Sequence, residues 1–225
     1  MAFKLNGVVP WGRTRNEYEK MFDLTEADRN KRIIGFGDGP ASFNAEMYAM
    51  GKHVISLDPI YQFTTAQLQK RIGETCVEVI AQTKANQGNF VWDTIKSVNQ
   101  LQEIRMGAMT RFLADYELGL AQKRYVAHSL PGKTDFTDNE FELGLCSHFL
   151  LLYAGLGLDF HKAAINEMMR ICKEVRIFPI LTLNGQKPDF LAEFLFFLNK
   201  DYQTQIKTVG YEFQKGGNEM LVIVK

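Results

Sequence analysis

The chain has 225 residues, with 26 basic and 26 acidic side chains and a formal net charge of zero. This length is enough for one α/β domain with a sizeable core, and we expect a single domain over residues 1–225. The charge balance lacks the basic stripe of a nucleic-acid binder, so we expect a small or neutral partner and no nucleic acid.

The three cysteines, Cys76, Cys146 and Cys172, are odd in number and form no Cys-x-x-Cys pair. This argues against a disulfide framework or a zinc site and indicates a reducing, cytoplasmic compartment, and no metal is expected. The longest apolar stretch, residues 149–158, is too short to cross a bilayer, so we expect no membrane contact.

The N-terminal segment, residues 1–31, precedes the first predicted strand. Residues 17–22 have the spacing of a short amphipathic helix. One interpretation is that this helix covers the edge of the sheet.

A predicted strand, a glycine-rich turn, a helix and a second strand follow. Gly37 and Gly39 allow a tight bend against which a ligand can lie, and Pro40 suits the first position of the next helix. That helix is predicted to end near Gly51. Asp58 follows Gly37 by the spacing at which a carboxylate can accept both ribose hydroxyls. The unit therefore predicts a nucleoside site.

The side chains of the turn narrow the choice of nucleoside. A dinucleotide site would have a third glycine at Ser42 and would hold a pyrophosphate on the helix N-terminus, which Asp38 would repel. S-adenosyl-L-methionine has no phosphate, carries a cationic sulfonium, and presents a zwitterion that turn amides and a helix N-terminus can hold. Asp38 therefore favours S-adenosyl-L-methionine.

Two long helices are predicted over residues 62–123, where a minimal βαβ unit needs one. The first begins with a capping box at Thr64 and continues to about Lys84; the second begins at Asn99. An apolar helical cap could shape a pocket, and charged positions such as Arg105, Arg111 and Asp115 could line it or lie in solvent. The alternative is ordinary core, or a subunit contact that makes an oligomer.

Strands and helices alternate again in the rest of the chain. Residues 215–218 contain two glycines and predict a terminal antiparallel hairpin. The predicted strands are 125–128, 141–146, 175–181, 205–213 and 220–224, and the predicted helices are 159–172 and one opened by Pro188.

Three stretches resemble motifs of the class I S-adenosyl-L-methionine-dependent methyltransferases. They are the glycine-rich turn with its following acid, residues 124–131 (Arg-Tyr-Val-Ala-His-Ser-Leu-Pro) beside the adenine, and the fourth-strand motif at residues 138–147. Two positions depart from the family pattern. Gly35 stands where an acid commonly precedes the first motif glycine, and Ser129 replaces the acid at the end of the third strand.

The resemblance implies an α/β fold, namely a Rossmann-like seven-stranded, mostly parallel sheet with helices on both faces. It further implies an antiparallel C-terminal hairpin strand and a helical insertion between strands 2 and 3. For residues 1–31 it offers a second interpretation, a flap over the cofactor. The cofactor-binding residues that it implies are Gly37, Asp38, Gly39, Pro40, Ala41, Asp58, Pro59, Ser129, Leu130, Cys146 and Ser147.

Ligands of open α/β sheets bind beyond the carboxyl ends of the strands. Five loops should therefore converge, and the activity implied is in-line transfer of a methyl group from S-adenosyl-L-methionine to a small-molecule acceptor. Methyltransferases that act on adenine or cytosine amino groups have an Asp/Asn-Pro-Pro-Tyr tetrapeptide after the fourth strand, where it holds the acceptor. This chain lacks the tetrapeptide, which argues against a nucleic-acid acceptor. The loops are 37–41, 58–61, 128–131, 146–149 and the turn after Pro179.

His148 is the candidate general base, because it follows the fourth strand and its ordinary pKa is close to neutrality. The alternative is a histidine packed among apolar neighbours. Tyr61 and Tyr153 are weaker candidates. Ser147 lacks the Gly-x-Ser-x-Gly surroundings of a nucleophile.

Two other functions stay open. One is a nicotinamide-dependent oxidoreductase built on a related nucleoside site, against which Asp38 and Ser42 argue. The other is a non-catalytic subunit that binds S-adenosyl-L-methionine and docks a partner through the helices of residues 64–121.

Overall fold

The computed structural model describes residues 9–225, so the first eight residues of the predicted flap lie outside the described part of the chain. Within that part the helices are α1 (Arg15–Met21), α2 (Glu26–Arg29), α3 (Phe43–Ala49), α4 (Thr65–Ala85), α5 (Val98–Ala121), α6 (Leu158–Ile171) and α7 (Leu191–Leu198). The strands are β1 (Ile33–Phe36), β2 (Val54–Leu57), β3 (Tyr125–Val126), β4 (Phe141–Ser147), β5 (Cys172–Phe178), β6 (Gln203–Thr208) and β7 (Glu219–Val224).

The strands form one sheet in the order β3-β2-β1-β4-β5-β7-β6. Strands β1 to β5 are parallel, and β7 runs antiparallel to both β5 and β6. The strand order reverses between β1 and β4, where Phe36 pairs with Cys146. The chain thus has a Rossmann-like, mostly parallel seven-stranded sheet with an antiparallel C-terminal strand, and the predicted fold class is confirmed.

Helices cover both faces of the sheet, as predicted. Ile33 and Ile34 are neighbours in β1 and belong to different buried clusters, because successive strand residues point to opposite faces. Ile34 shares its cluster with Phe194 of α7, whereas Ile33 shares its cluster with Met21 of α1. None of the helices within residues 9–225 is long and apolar enough to span a bilayer.

The glycine-rich turn is longer than predicted, so Pro40 does not open the following helix. The Ala41 amide donates to the Asp38 carbonyl at 3.3 Å, which closes a turn before the chain becomes helical. Ser42 is the N-cap, and α3 begins at Phe43. The predicted first helical position therefore lies in the turn itself.

Several predicted boundaries shift in the second half of the chain; strand β6, for example, spans Gln203–Thr208 and not the predicted 205–213. Strand β5 begins at Cys172, directly after α6, and ends at Phe178 because Pro179 has no N–H for the sheet ladder. Helix α7 begins at Leu191, whose amide first closes a turn on the Pro188 carbonyl. Strand β3 is only two residues long.

The two helices of the insert form as predicted. Thr64 and Gln67 make the reciprocal capping box at the start of α4. Helix α5 begins one residue earlier than predicted, at Val98, because Ser97 accepts a hydrogen bond from the Gln100 amide and caps it.

The predicted N-terminal helix is α1. It starts with a capping box between Thr14 and Glu17. The Tyr18 ring stacks on Phe43 of α3 with centroids 4.5 Å apart. The segment is thereby fixed next to the glycine-rich turn.

Candidate functional site

A cavity of about 980 Å³ lies beyond the carboxyl ends of the parallel strands. All five loops predicted to converge there contribute to its wall, so this prediction is confirmed. The N-terminal segment, both helices of the insert and the β6–β7 connection complete the wall with Trp11, Arg13, Tyr18, Val79, Leu101, Arg105, Tyr211 and Phe213.

Most of the residues predicted to bind the cofactor line this cavity: Gly37, Asp38, Gly39, Pro40, Asp58, Pro59, Ser129, Leu130 and Ser147. The structure corrects the prediction at two positions, which lie behind the wall. Ala41 packs into the buried cluster of α1 and α3. The Cys146 side chain is fully buried in the cluster on the opposite face, because strand alternation turns it into the core.

The amides of the turn are already used within the protein. Gly37 and Gly39 have left-handed φ angles of 67° and 53°. The Gly37 amide donates to a carbonyl of β2, and the Gly39 amide donates to Asp58 Oδ2 at 2.8 Å. At the start of α3, the Ser42 amide donates to the Arg13 carbonyl. These three amides therefore already have hydrogen-bond partners inside the protein.

Asp58 lies across the glycine-rich turn at the end of β2. Its carboxylate accepts the amides of Gly39 and Ile60 at 2.8 and 2.9 Å. Burial raises the pKa of Asp58 to about 6, although both amides act to lower it. Each carboxylate oxygen has a second lone pair, so the group can still accept ligand hydroxyls.

The Asp38 carboxyl occupies the space that a side chain at residue 35 would fill. Residue 35 is the position where the family pattern has an acid. A Cβ on Gly35 would lie 1.8 Å from Asp38 Oδ2. The carboxyl group accepts the Tyr18 and Ser56 hydroxyls at 2.8 and 2.6 Å. Burial raises the pKa of Asp38 to about 7 despite these hydrogen bonds, and the charge of Asp58 adds to the rise. The Asp38 carboxyl therefore lies directly over residue 35.

His148 faces the cavity from the end of β4 in a strained backbone conformation, with φ at 54°. Its amide donates to the Phe178 carbonyl at 2.7 Å, and Nδ1 lies 2.9 Å from Ser147 Oγ. Burial, then the charges of Arg13 and Arg105, hold the pKa of His148 well below its ordinary value. The imidazole is therefore unprotonated at neutral pH and a weaker base than an ordinary histidine, so the near-neutral pKa assumed in the prediction does not hold.

The two tyrosines named as weaker candidates have different positions. Tyr153 lines the cavity. Tyr61 lies outside the wall and donates its hydroxyl to the Gly39 carbonyl at 2.7 Å. Tyr61 therefore supports the turn.

A buried ion pair at the insert side of the cavity was missed by sequence reasoning. Arg105 of α5 donates to both oxygens of Glu17 at 2.6 and 2.7 Å, and Tyr211 donates to the same carboxylate at 2.9 Å. Burial alone would raise the pKa of Glu17, but Arg105 lowers it to about 2. The sequence did contain a signal for this pair, because Arg105 interrupts the apolar stripe of α5. A buried charge needs a partner of opposite charge, so an acid should have been expected next to it.

The two other positions of α5 predicted to line a pocket or lie in solvent, Arg111 and Asp115, take different roles. Arg111 is exposed. Asp115 pairs with Arg124 at 2.7 Å, next to β3. Only Arg105 of these positions lines the cavity.

The insert forms one wall and part of the roof of the cavity. Val79 of α4 and Leu101 of α5 line the wall. In the connection between these helices, the Val91 amide donates to the Phe213 carbonyl at 2.7 Å, and Phe90 stacks on Phe213 with centroids 4.9 Å apart. The insert and the β6–β7 connection therefore cover the site together.

No group of three metal-ligating side chains is found within residues 9–225.

Comparison with known proteins gives one relative of similar length. A protein of Methanocaldococcus jannaschii, described as uncharacterized protein MJ0045, is 37% identical over 221 residues, which is 97% of each chain. No protein-family model matches the chain.

Several solved structures resemble the chain at low identity. The PH0226 protein of Pyrococcus horikoshii has a TM-score of 0.48 at 9% identity and covers 93% of this chain and 90% of its own. The methyltransferase domain of a bacterial Hen1 has a TM-score of 0.48 at 11% identity, covering 87% and 91%. A magnesium protoporphyrin IX methyltransferase of Synechocystis PCC 6803 with bound SAM has a TM-score of 0.44 at 14% identity, covering 87% and 70%. Such likeness says nothing about what this chain binds.

Proposed function

The chain belongs to the same family as the uncharacterized protein MJ0045 of Methanocaldococcus jannaschii, and we propose that it is a methyltransferase that uses S-adenosyl-L-methionine. The acceptor is a small molecule. The observation that carries the proposal is the contact of Asp58 with Gly39 at 2.8 Å on the cavity wall, next to the reversal of strand order. Nucleosides bind at this point of open α/β sheets.

The residues around the turn fit the parts of this cofactor. Asp58 accepts the ribose hydroxyls, and Ser129 with Leu130 lies beside the adenine. Asp38 binds the methionyl ammonium in place of an acid at residue 35. A bound cation lowers the pKa of Asp38 from about 7 and fixes its negative charge.

When bound, S-adenosyl-L-methionine supplies an electrophilic methyl group, and S-adenosylhomocysteine leaves after in-line displacement. The walls of the cavity align the acceptor and exclude water, which are major contributions to such a reaction. His148 takes the proton that the acceptor loses. With Nδ1–H donating to Ser147 Oγ, its Nε2 is free to accept this proton.

Equilibrium binding tests the cofactor assignment. We expect S-adenosylhomocysteine to bind with a dissociation constant well below about 1 mM. Asp58→Ala should weaken this affinity by about 10- to 100-fold, because hydrogen bonds to a charged group are lost. Asp135→Ala, an exposed acid outside the cavity, is the matched control and should change nothing.

The same protein can be screened by thermal shift against NAD, because a ligand that binds the native state raises the melting temperature. Stabilisation by NAD alone would replace this proposal with the oxidoreductase. Transfer of labelled methyl groups to the low-molecular-mass fraction of a cell extract tests the acceptor class. Transfer only after another protein is added would favour the partner-dependent subunit.

A further inference from the structure

Arg13 lines the cavity beside the glycine-rich turn. The main chain just before Arg13 packs closely against that turn, because a Cβ on Gly12 would lie 2.0 Å from the Pro40 carbonyl oxygen. The Arg13 carbonyl also accepts the Ser42 amide at 3.0 Å. The main chain of Arg13 is therefore fixed next to the turn, which keeps its side chain on this side of the cavity.

The charge of Arg13 is not balanced by a carboxylate within residues 9–225. Its Nη1 donates to the Trp11 carbonyl at 3.2 Å, and its buried Nε has no hydrogen-bond partner in that part of the chain. The charge of Glu17 attracts Arg13 from a distance, but the hydrogen bonds and the ion pair of Glu17 go to Arg105. Burial and then the charge of Arg105 lower the pKa of Arg13, and the more distant charge of Glu17 only partly opposes this.

We infer that Arg13 binds a carboxylate group of a ligand in this cavity. The inference rests on the proposed function, which offers two sources for the group. One is the methionyl carboxylate of S-adenosyl-L-methionine, and the other is a carboxylate on the acceptor.

The chemistry of the site selects a carboxylate among anions. A planar guanidinium matches the two oxygens of a carboxylate. One uncompensated positive charge is balanced by a monoanion, whereas a phosphate monoester carries up to about two negative charges at neutral pH.

Of the two sources, the methionyl carboxylate of the cofactor is favoured. The amides of Gly37, Gly39 and Ser42 already have partners inside the protein. Arg13 and Asp38 both line the cavity beside this turn and carry opposite charges. Together they complement an amino-acid zwitterion.

The first experiment compares S-adenosyl-L-methionine with its decarboxylated form, which keeps the sulfonium and the ammonium and lacks only the carboxylate. The wild-type chain should prefer S-adenosyl-L-methionine. In Arg13→Gln, the affinity for S-adenosyl-L-methionine should fall about 10- to 100-fold, while that for the decarboxylated form stays within about twofold. This result assigns the carboxylate to the cofactor.

The second experiment applies if Arg13→Gln leaves cofactor binding unchanged. Protein saturated with S-adenosylhomocysteine is titrated with 4-hydroxybenzoate and with its uncharged analogue 4-hydroxybenzamide, flat probes suited to the aromatic wall of Trp11, Phe90 and Phe213. A wild-type preference for the carboxylate of about tenfold or more, lost in Arg13→Gln, assigns the group to the acceptor. No change in either experiment overturns the inference.

Two further variants serve as controls. Arg15→Gln is the matched control, since Arg15 lies on the same segment, pairs with Glu19 and does not line the cavity. Arg13→Lys keeps the charge and should retain part of the preference, which a purely structural role would not predict. If the wild-type chain binds neither form of the cofactor, the proposed function fails, independently of Arg13.

Discussion

The two sides of the cavity are built in opposite ways. On the side of the glycine-rich turn, Asp38 and Asp58 lie close in sequence and have raised pKa values, so their charges are poorly stabilised by the protein. On the insert side, Glu17 and Arg105 lie 88 residues apart and neutralise each other. The first side would gain stability from a bound cation, whereas the second already holds two opposite charges together.

Loss of the ion pair on the insert side should have the largest effect. Glu17→Gln leaves Arg105 buried without a counter-charge, and removal of one partner of a buried pair costs about 3–5 kcal/mol. Chemical denaturation should show this loss in the free energy of unfolding. Replacement of both residues by Met should cost clearly less; an equal cost would show that packing, and not charge, is lost.

The residue between the two sides, His148, should matter for turnover rather than for binding. We expect His148→Asn to lower the rate of methyl transfer by about 100-fold, the scale of lost general-base catalysis. The affinity for S-adenosylhomocysteine should stay unchanged. An unaltered rate would mean that the acceptor loses its proton without this imidazole.

The relocated acid on the turn side can be tested by returning it to its usual place. Gly35→Ala should displace the Asp38 carboxyl from Tyr18 and Ser56, at a cost of about 1–3 kcal/mol, and weaken cofactor binding. The double variant Gly35→Asp with Asp38→Gly should recover part of the affinity.

Gly107→Ala is the control for this series, since a Cβ there meets nothing within 4 Å. It should stabilise helix α5 by up to about 1 kcal/mol. If Gly35→Ala is as harmless as Gly107→Ala, Asp38 does not depend on the space above residue 35.

The smallest expected effect concerns pH. The pKa of Asp38 is about 7 in the folded state, above its ordinary value of 3.8, so the native state binds more protons than the unfolded state between these pH values. The stability of the ligand-free protein should therefore fall as the pH rises from about 4 to 7.

Asp38→Asn should flatten this part of the profile. At pH 8 it should raise the melting temperature by a few degrees, since about 1 kcal/mol corresponds to roughly 2–4 °C in a domain of this size. Cofactor affinity should fall in the same variant. Glu17, with a pKa of about 2, should act in the opposite direction, because its stabilisation is lost as the pH falls from about 4.5 to 2.

The turn side of the site could be predicted largely from the sequence. The turn glycines and the spacing to Asp58 depend on neighbours within one βαβ unit, and the capping box at Thr64, at the start of the insert, is equally local. Pro40 and Ala41 were misplaced because a turn closed by the Asp38 carbonyl delays the helix, which no local propensity indicates.

The insert side was decided by tertiary structure. Tyr211 is hydrogen-bonded to Glu17 although 194 residues separate them in sequence. The main-chain carbonyl of Arg13 accepts the Ser42 amide, which joins the N-terminal segment to the glycine-rich turn. Side-chain periodicity and turn chemistry report local conformation, whereas these contacts depend on how helices pack against the sheet. The sequence by itself thus determined the α/β sheet and the acid beside the glycine-rich turn. Only packing decided which distant charges share the cavity, and that Asp38 fills the space above Gly35.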